Sequence, residues 1–239
     1  MGNIKLCLDE EYLQLGIEKW ITFNFESEGQ RILIVGPSGS GKTIFSMILL
    51  GKLSLYIPGI KIWVVDYKGL DFEWLTGCKN YYPVDTAIKG IDTFFTMFEN
   101  RLYKREPSDN IQVLFIDEYP SLLLSISSKK EQEELKGRIA RLLNLSRALK
   151  IIIICAMQRP FAELFTNGCR DSFNIRCMMG ANSKEAIAQS MNEYKDVITP
   201  CPVGVGYCTV NDMSLKKIHA VMPTDTAKLH RIITEAVSR

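Results

Sequence analysis

Short runs rich in Ile, Val and Phe alternate along this chain with longer stretches whose apolar residues recur every three or four positions. The first pattern predicts strands buried on both faces, and the second predicts amphipathic helices laid over them. Strands are expected at Arg31–Val35, Lys61–Asp66, Gln112–Asp117, Ile151–Ala156, Phe173–Met179, Gly204–Val210 and Leu215–Val221. Helices are expected at Lys42–Leu50, Thr86–Arg105, Lys129–Ala148, Ser183–Met191 and Thr224–Val237. Strands joined by crossover helices make an α/β fold with a mainly parallel central sheet flanked by helices. Near the start, the alternating Ile4, Leu6 and Leu8, and then Trp20, Thr22 and Asn24, predict antiparallel edge strands added to that sheet. No internal repeat, low-complexity tract or Gly/Ser linker interrupts the series, so residues 1–239 are expected to form a single domain.

Composition narrows the picture mainly by exclusion. With 46% hydrophobic and 23% charged residues, the chain is neither disordered nor fibrous. A net charge of +2, from 29 basic against 27 acidic side chains, creates no global field for nucleic acid, so any DNA contact must be local. The seven cysteines are odd in number and contain no CxxC pair, which argues against a disulfide framework or a zinc cluster and for a reducing cytosol. The N-terminus has no basic segment followed by an apolar run, and stretches such as Ile151–Met157 are too short to span a bilayer. A cytoplasmic chain without its own transmembrane segment is expected, with any membrane contact made through an anchored partner.

The strongest chemical signal is Gly36-Pro37-Ser38-Gly39-Ser40-Gly41-Lys42-Thr43, which fits GxxxxGK[ST] between the apolar run Ile32–Val35 and the helical run Ile44–Leu50. In that setting glycines let the backbone turn its N–H groups toward phosphates, and the following helix adds the positive end of its dipole. Lys42 is expected on the β- and γ-phosphates of a bound nucleoside triphosphate, ATP in the first instance, and the Thr43 hydroxyl on Mg²⁺. The run Val113–Ile116 ends in Asp117-Glu118, the form of a Walker B segment. Asp117 is then expected to hold magnesium through its water shell and Glu118 to orient and deprotonate the attacking water. The bland alternative is an acidic pair that merely opens a solvated loop. A further strand runs into Gln158-Arg159-Pro160, where Gln158 is a candidate to position water or sense the γ-phosphate, or else a polar turn fixed by Pro160.

Taken in order, Gly36–Thr43, Val65-Asp66-Tyr67-Lys68, Phe115-Ile116-Asp117-Glu118 and Gln158-Arg159-Pro160 resemble the motor domain of the FtsK/SpoIIIE family, within the FtsK–HerA superfamily. Arg138–Leu142, Ser146-Arg147-Ala148, Asn174-Ile175-Arg176 and Ser183-Lys184 extend the likeness, which covers roughly residues 30 to 225. The resemblance implies a RecA-like P-loop NTPase that assembles as a hexameric ring, hydrolyses ATP at subunit interfaces and pulls double-stranded DNA through its channel. It also implies an arginine supplied by the neighbouring subunit, for which Arg147 is the first candidate and Arg141 the second; each is otherwise a solvated or salt-bridged helix residue. These 239 residues hold no counterpart of the family's membrane-anchored N-terminus or winged-helix module, so sequence-directed loading is not implied. A Gly-Asp-Met signature expected late in the family's core is replaced by Gly204-Val205-Gly206-Tyr207-Cys208. Related type VII secretion ATPases give a rival reading, in which the partner is a secretion-substrate peptide. Leu8–Leu13 and Trp20–Phe25 resemble the opening of such domains, and the near-neutral charge suits a peptide.

Other features read more plainly. Lys129, Lys130, Arg138, Arg141, Arg147 and Lys150 form a locally basic stretch that a ring would multiply, but Glu131, Glu133 and Glu134 interleave as on an ordinary solvated helix. Asp66 and Lys68 end a strand beside the expected crevice and are open to a role in the nucleotide site or in an intersubunit contact. His219 and His230 read as structural, and Phe94, Phe95, Phe98 and Leu102 as core packing.

Overall fold

The structure, a computed structural model, describes residues 2–25, 29–105, 110–211 and 213–239. In chain order its strands are β1 (Asn3–Asp9), β2 (Trp20–Asn24), β3 (Arg31–Val35), β4 (Lys61–Asp66), β5 (Tyr81–Pro83), β6 (Gln112–Asp117), β7 (Ile151–Met157), β8 (Ile175–Met179), β9 (Val205–Val210) and β10 (Lys216–His219). The α-helices are α1 (Glu10–Leu13), α2 (Lys42–Tyr56), α3 (Ala87–Leu102), α4 (Tyr119–Ser125), α5 (Lys129–Leu145), α6 (Lys184–Met191) and α7 (Thr226–Ser238). The strands form one sheet in the order β2-β1-β10-β9-β8-β3-β7-β6-β4-β5. From β8 to β5 neighbouring strands pair in parallel. From β8 outward to β2 every pairing is antiparallel. The parallel centre and the antiparallel edge both follow the hydrophobic pattern.

Alternation along the central strands divides the core into two layers. Val113 and Phe115 of β6, with Ile152 and Ile154 of β7, pack with Leu50 and Leu53 of α2 and Ile233 of α7. Leu114, Ile116, Ile153 and Cys155 face the other way, toward Phe94 and Phe98 of α3 and Leu142 of α5. Because helices cover both faces, every residue of β6 and β7 is buried, which is why these strands read as continuous apolar runs. Each large side chain so buried contributes roughly 1.5–3 kcal/mol of transfer free energy.

Helix α2 runs on to Tyr56, beyond the expected end at Leu50. Gly51 does not stop it, because its role is packing: a Cβ there would lie 2.1 Å from Leu229 Cδ1 of α7. The sequence reading missed three elements, among them the one-turn helix α1. β5 is a short strand at the sheet edge, and α4 begins directly after Glu118 with Pro120 in its first turn. Phe173 stays outside β8, since its N–H closes a turn onto the Arg170 carbonyl. The helix expected to reach Ala148 gives way to a 3-10 segment, Ser146–Leu149, which Lys150 ends with a φ of 53°.

Candidate nucleotide site

The order β8-β3-β7-β6 places β7 between the strand that feeds the phosphate loop and the strand that ends in Asp117. The C-terminal ends of three strands therefore deliver the loop, Gln158 and the acidic pair to one crevice, where ligands of open parallel sheets bind. Val35 pairs in register with Met157, and Asp117 with Ala156. The Gly36 N–H donates to the Met157 carbonyl at 3.1 Å, and the chain then turns through the loop to Gly41, whose φ of 90° requires glycine. Gly41 caps α2 without any side-chain hydrogen bond, so the first-turn N–H groups are left for an anion. The Gly204 N–H donates to the Ser40 carbonyl at 3.1 Å, tying the loop to the segment that leads into β9. A cavity of 480 Å³ opens here, lined by Ser38, Lys42, Thr43, Lys68, Asp71 and Gln158 among others.

Asp117 is buried, with Oδ1 3.5 Å from Lys42 Nζ. Its Oδ2 is also buried and has no hydrogen-bond partner among the described residues. Burial pushes the Asp117 carboxyl up to about 6 against the opposing pull of Lys42, and Asp66, Glu118 and Asp71 add to the rise. A divalent cation beside Oδ2 would offset both the burial and the acidic crowding, so the donor set fits the Mg²⁺ expected at Asp117 and Thr43. The Thr43 hydroxyl meanwhile donates to Asp71 Oδ2 at 3.2 Å.

Glu118 takes a left-handed backbone conformation, with φ 60° and ψ 49°. For a residue with a Cβ this costs roughly 1–2 kcal/mol, and its N–H is fixed on the Ala156 carbonyl at 2.8 Å. Its carboxylate is buried and held at both oxygens. Oε1 accepts from the Gln158 N–H at 3.3 Å, and Oε2 accepts from Lys68 Nζ at 3.0 Å. The reading of Asp117-Glu118 as a solvated loop opening does not survive this burial.

The two residues left open after β4 separate. Asp66 belongs to the turn that follows it: Oδ1 accepts from the Gly69 N–H at 2.9 Å, and Oδ2 accepts from the Phe72 N–H at 3.3 Å and the Tyr81 hydroxyl at 3.1 Å. Lys68 rides on that turn into the nucleotide cavity. So does Asp71, which the sequence reading missed, because nothing in the Asp71-Phe72-Glu73 run marks it. The available signal was Asp66 three residues ahead of Gly69, a turn-forming pair at a strand end.

Arg147 does not join these groups. It is exposed at the opposite end of the sheet, where the parallel strands begin, and lines a 590 Å³ cavity with Arg31, Asn174 and Arg176. Arg141 pairs with Glu99 at 2.9 Å and lies over the Phe95 ring at 5.2 Å. Its neighbours are engaged as on a solvated face: Arg138 with Asp92, Lys130 with Glu134, Lys136 with Glu133. His230 stacks on Trp74, with ring centroids 3.9 Å apart, and His219 Nδ1 lies 3.2 Å from Glu10 Oε2. Among the described residues no helix is long and apolar enough to cross a membrane.

A glycine-rich loop ahead of α2, a buried Asp117 beside Lys42 and a following glutamate, at the C-terminal ends of a mainly parallel sheet, are the fold and candidate site expected of a P-loop nucleotide-binding domain. Three similarities make that class more specific. The chain is 22% identical over 236 residues to the FtsK domain-containing protein YdcQ of Bacillus subtilis, a match covering 90% of this chain and 48% of the relative. It thus spans about half the length of that curated relative. Its structure superposes on the conjugation coupling protein TcpA of pCW3, solved with ATPγS, with a TM-score of 0.75 at 18% identity, over 98% of this chain and 70% of TcpA. The cytoplasmic domain of the type VII secretion ATPase EccC from Thermomonospora curvata gives a TM-score of 0.71 at 17% identity, over 99% of this chain and 31% of EccC. No family model matches the sequence. The resemblance carried by the four sequence motifs is therefore met again in the fold.

Proposed function

We propose that this chain is the motor module of an ATP-driven translocase, acting as a homo-oligomeric ring, hexameric as in the family it resembles, and moving double-stranded DNA. The observation that carries this reading is the separation of the two charged regions. The crevice holding Lys42, Asp117 and Glu118 has no arginine lining it among the described residues, while Arg147 stands exposed at the other end of the same sheet. A second copy, docked head to tail, would bring its Arg147 to the open crevice of the first. Lys42 and the α2 N-terminus hold the phosphates, Glu118 draws a proton from the attacking water, Gln158 orients that water, and the neighbour's Arg147 meets the charge developing on the phosphoryl group. Thr43 and Asp117 would hold Mg²⁺, which would supply charge neutralisation at the phosphates. Likeness to a conjugation coupling protein and to an FtsK-domain protein supports DNA as the polymer. A paired assay tests it: hydrolysis should be stimulated by duplex DNA and the stimulation should fall steeply with salt. Stimulation by a secretion-signal peptide alone would transfer the module to the secretion class, to which EccC belongs.

A further inference from the structure

The turn after β4 reaches both working parts of the nucleotide site. Asp66 fixes it through two backbone N–H groups and the Tyr81 hydroxyl. From that fixed base, Lys68 extends to Glu118 and Asp71 to the hydroxyl of Thr43. Glu118 is thereby left with a cation on one oxygen and the Gln158 N–H on the other. Both carboxylate oxygens are thus engaged, and an attacking water must compete with Lys68 for Oε2. The Lys68 side chain keeps 29% of its exposure, against 5% for Glu118, so the cation can withdraw into solvent while the carboxylate cannot. Asp71 makes the turn sensitive to occupancy, because a magnesium ion claiming the Thr43 oxygen breaks or recruits the Thr43–Asp71 contact.

Resting on the ATPase reading above, we infer that residues 67–72 form a latch in which Lys68 is a positioning residue, restraining Glu118 until nucleotide and magnesium shift the turn. Lys68 therefore limits hydrolysis in the resting chain and does not bind phosphate. Steady-state hydrolysis of the full chain, Lys68→Ala and Lys68→Arg tests this. Lys68→Ala should raise kcat about three- to tenfold, the size of one ordinary net hydrogen bond at a half-exposed site. KM for ATP should stay within about twofold and Lys68→Arg should behave as the parent, since both are expected when only the restraint changes. An unchanged or lowered kcat overturns the latch, and so does a raised KM, which would put Lys68 on the phosphates. Thermal unfolding without nucleotide gives a second readout. Lys68→Ala should cost stability in the parent background and much less beside Glu118→Gln, and additive losses would overturn the pair. A parent chain that binds ATP without hydrolysing it would defeat the ATPase reading instead, while the unfolding cycle would still report on the contact.

Discussion

The two ends of the parallel strands hold comparable numbers of charged side chains but are built on opposite plans. At the C-terminal end the charges are paired and mostly buried: Lys42 with Asp117, and half-buried Lys68 with buried Glu118. At the N-terminal end, Arg147 is exposed beside a polar cavity, in the company of Arg31, Arg176 and Asn174. Burial fixes geometry and strengthens every charge interaction, which suits groups that must meet a phosphate in one arrangement. Exposure leaves a guanidinium available to something outside the chain. One sheet thus presents buried, paired charges at one end and an exposed arginine at the other.

The sharpest way to break this comparison is Arg147→Ala. In the assembled protein it should lower kcat by about 10³-fold, the scale of a lost arginine finger, with nucleotide affinity retained. Mixing that variant with Lys42→Ala should recover part of the activity, as measured by hydrolysis across mixing ratios. A fully active monomer that ignores the substitution would end the two-copy reading. Next, Glu118→Gln should cut turnover by about 10²–10⁴-fold while a fluorescent ATP analogue still binds. Arg141→Ala should change kcat by no more than about twofold, because its charge is spent on Glu99 and the Phe95 ring. That contrast separates the two arginines by their place in the fold, Arg147 at the sheet end and Arg141 on the α5 face. The smallest effect concerns neither end. Burial against Trp74 holds the His230 ring below its ordinary value near 6.5. The folded chain then resists a proton that the unfolded chain accepts, so stability present above pH 6.5 is lost as pH falls through the folded-state value. Melting temperatures taken between about pH 7.5 and 5.5 should show a smaller acid-side loss in His230→Phe than in the parent.

The parallel strands and the phosphate loop were legible because their signals are local. A continuous apolar run bounded by turn residues needs no knowledge of its neighbours, and the boundaries of β3, β4 and β6 coincide with those expected. The reach of α2 past Leu50 was not legible, because the packing of Gly51 against Leu229 is a tertiary contact. Asp71 was hidden for a related reason, and Lys68 was left open. Their work depends on how Asp66 folds the turn beneath them, through contacts to Phe72 and to Tyr81 on β5, an element that three residues were too few to announce. Strand order, which puts Gln158 between the loop and the acidic pair, is a property of the assembled sheet and not of any segment.

The bond from Gly204 to Ser40 joins two parts of the sheet that the strand order keeps apart. It stitches the phosphate loop to the chain just ahead of β9, the first strand of the antiparallel wing that continues through β10 and β1 to β2. The wing is thus anchored twice, along β8 and at the loop itself. The loop that carries Lys42 and the root of four antiparallel strands thus share one backbone hinge point.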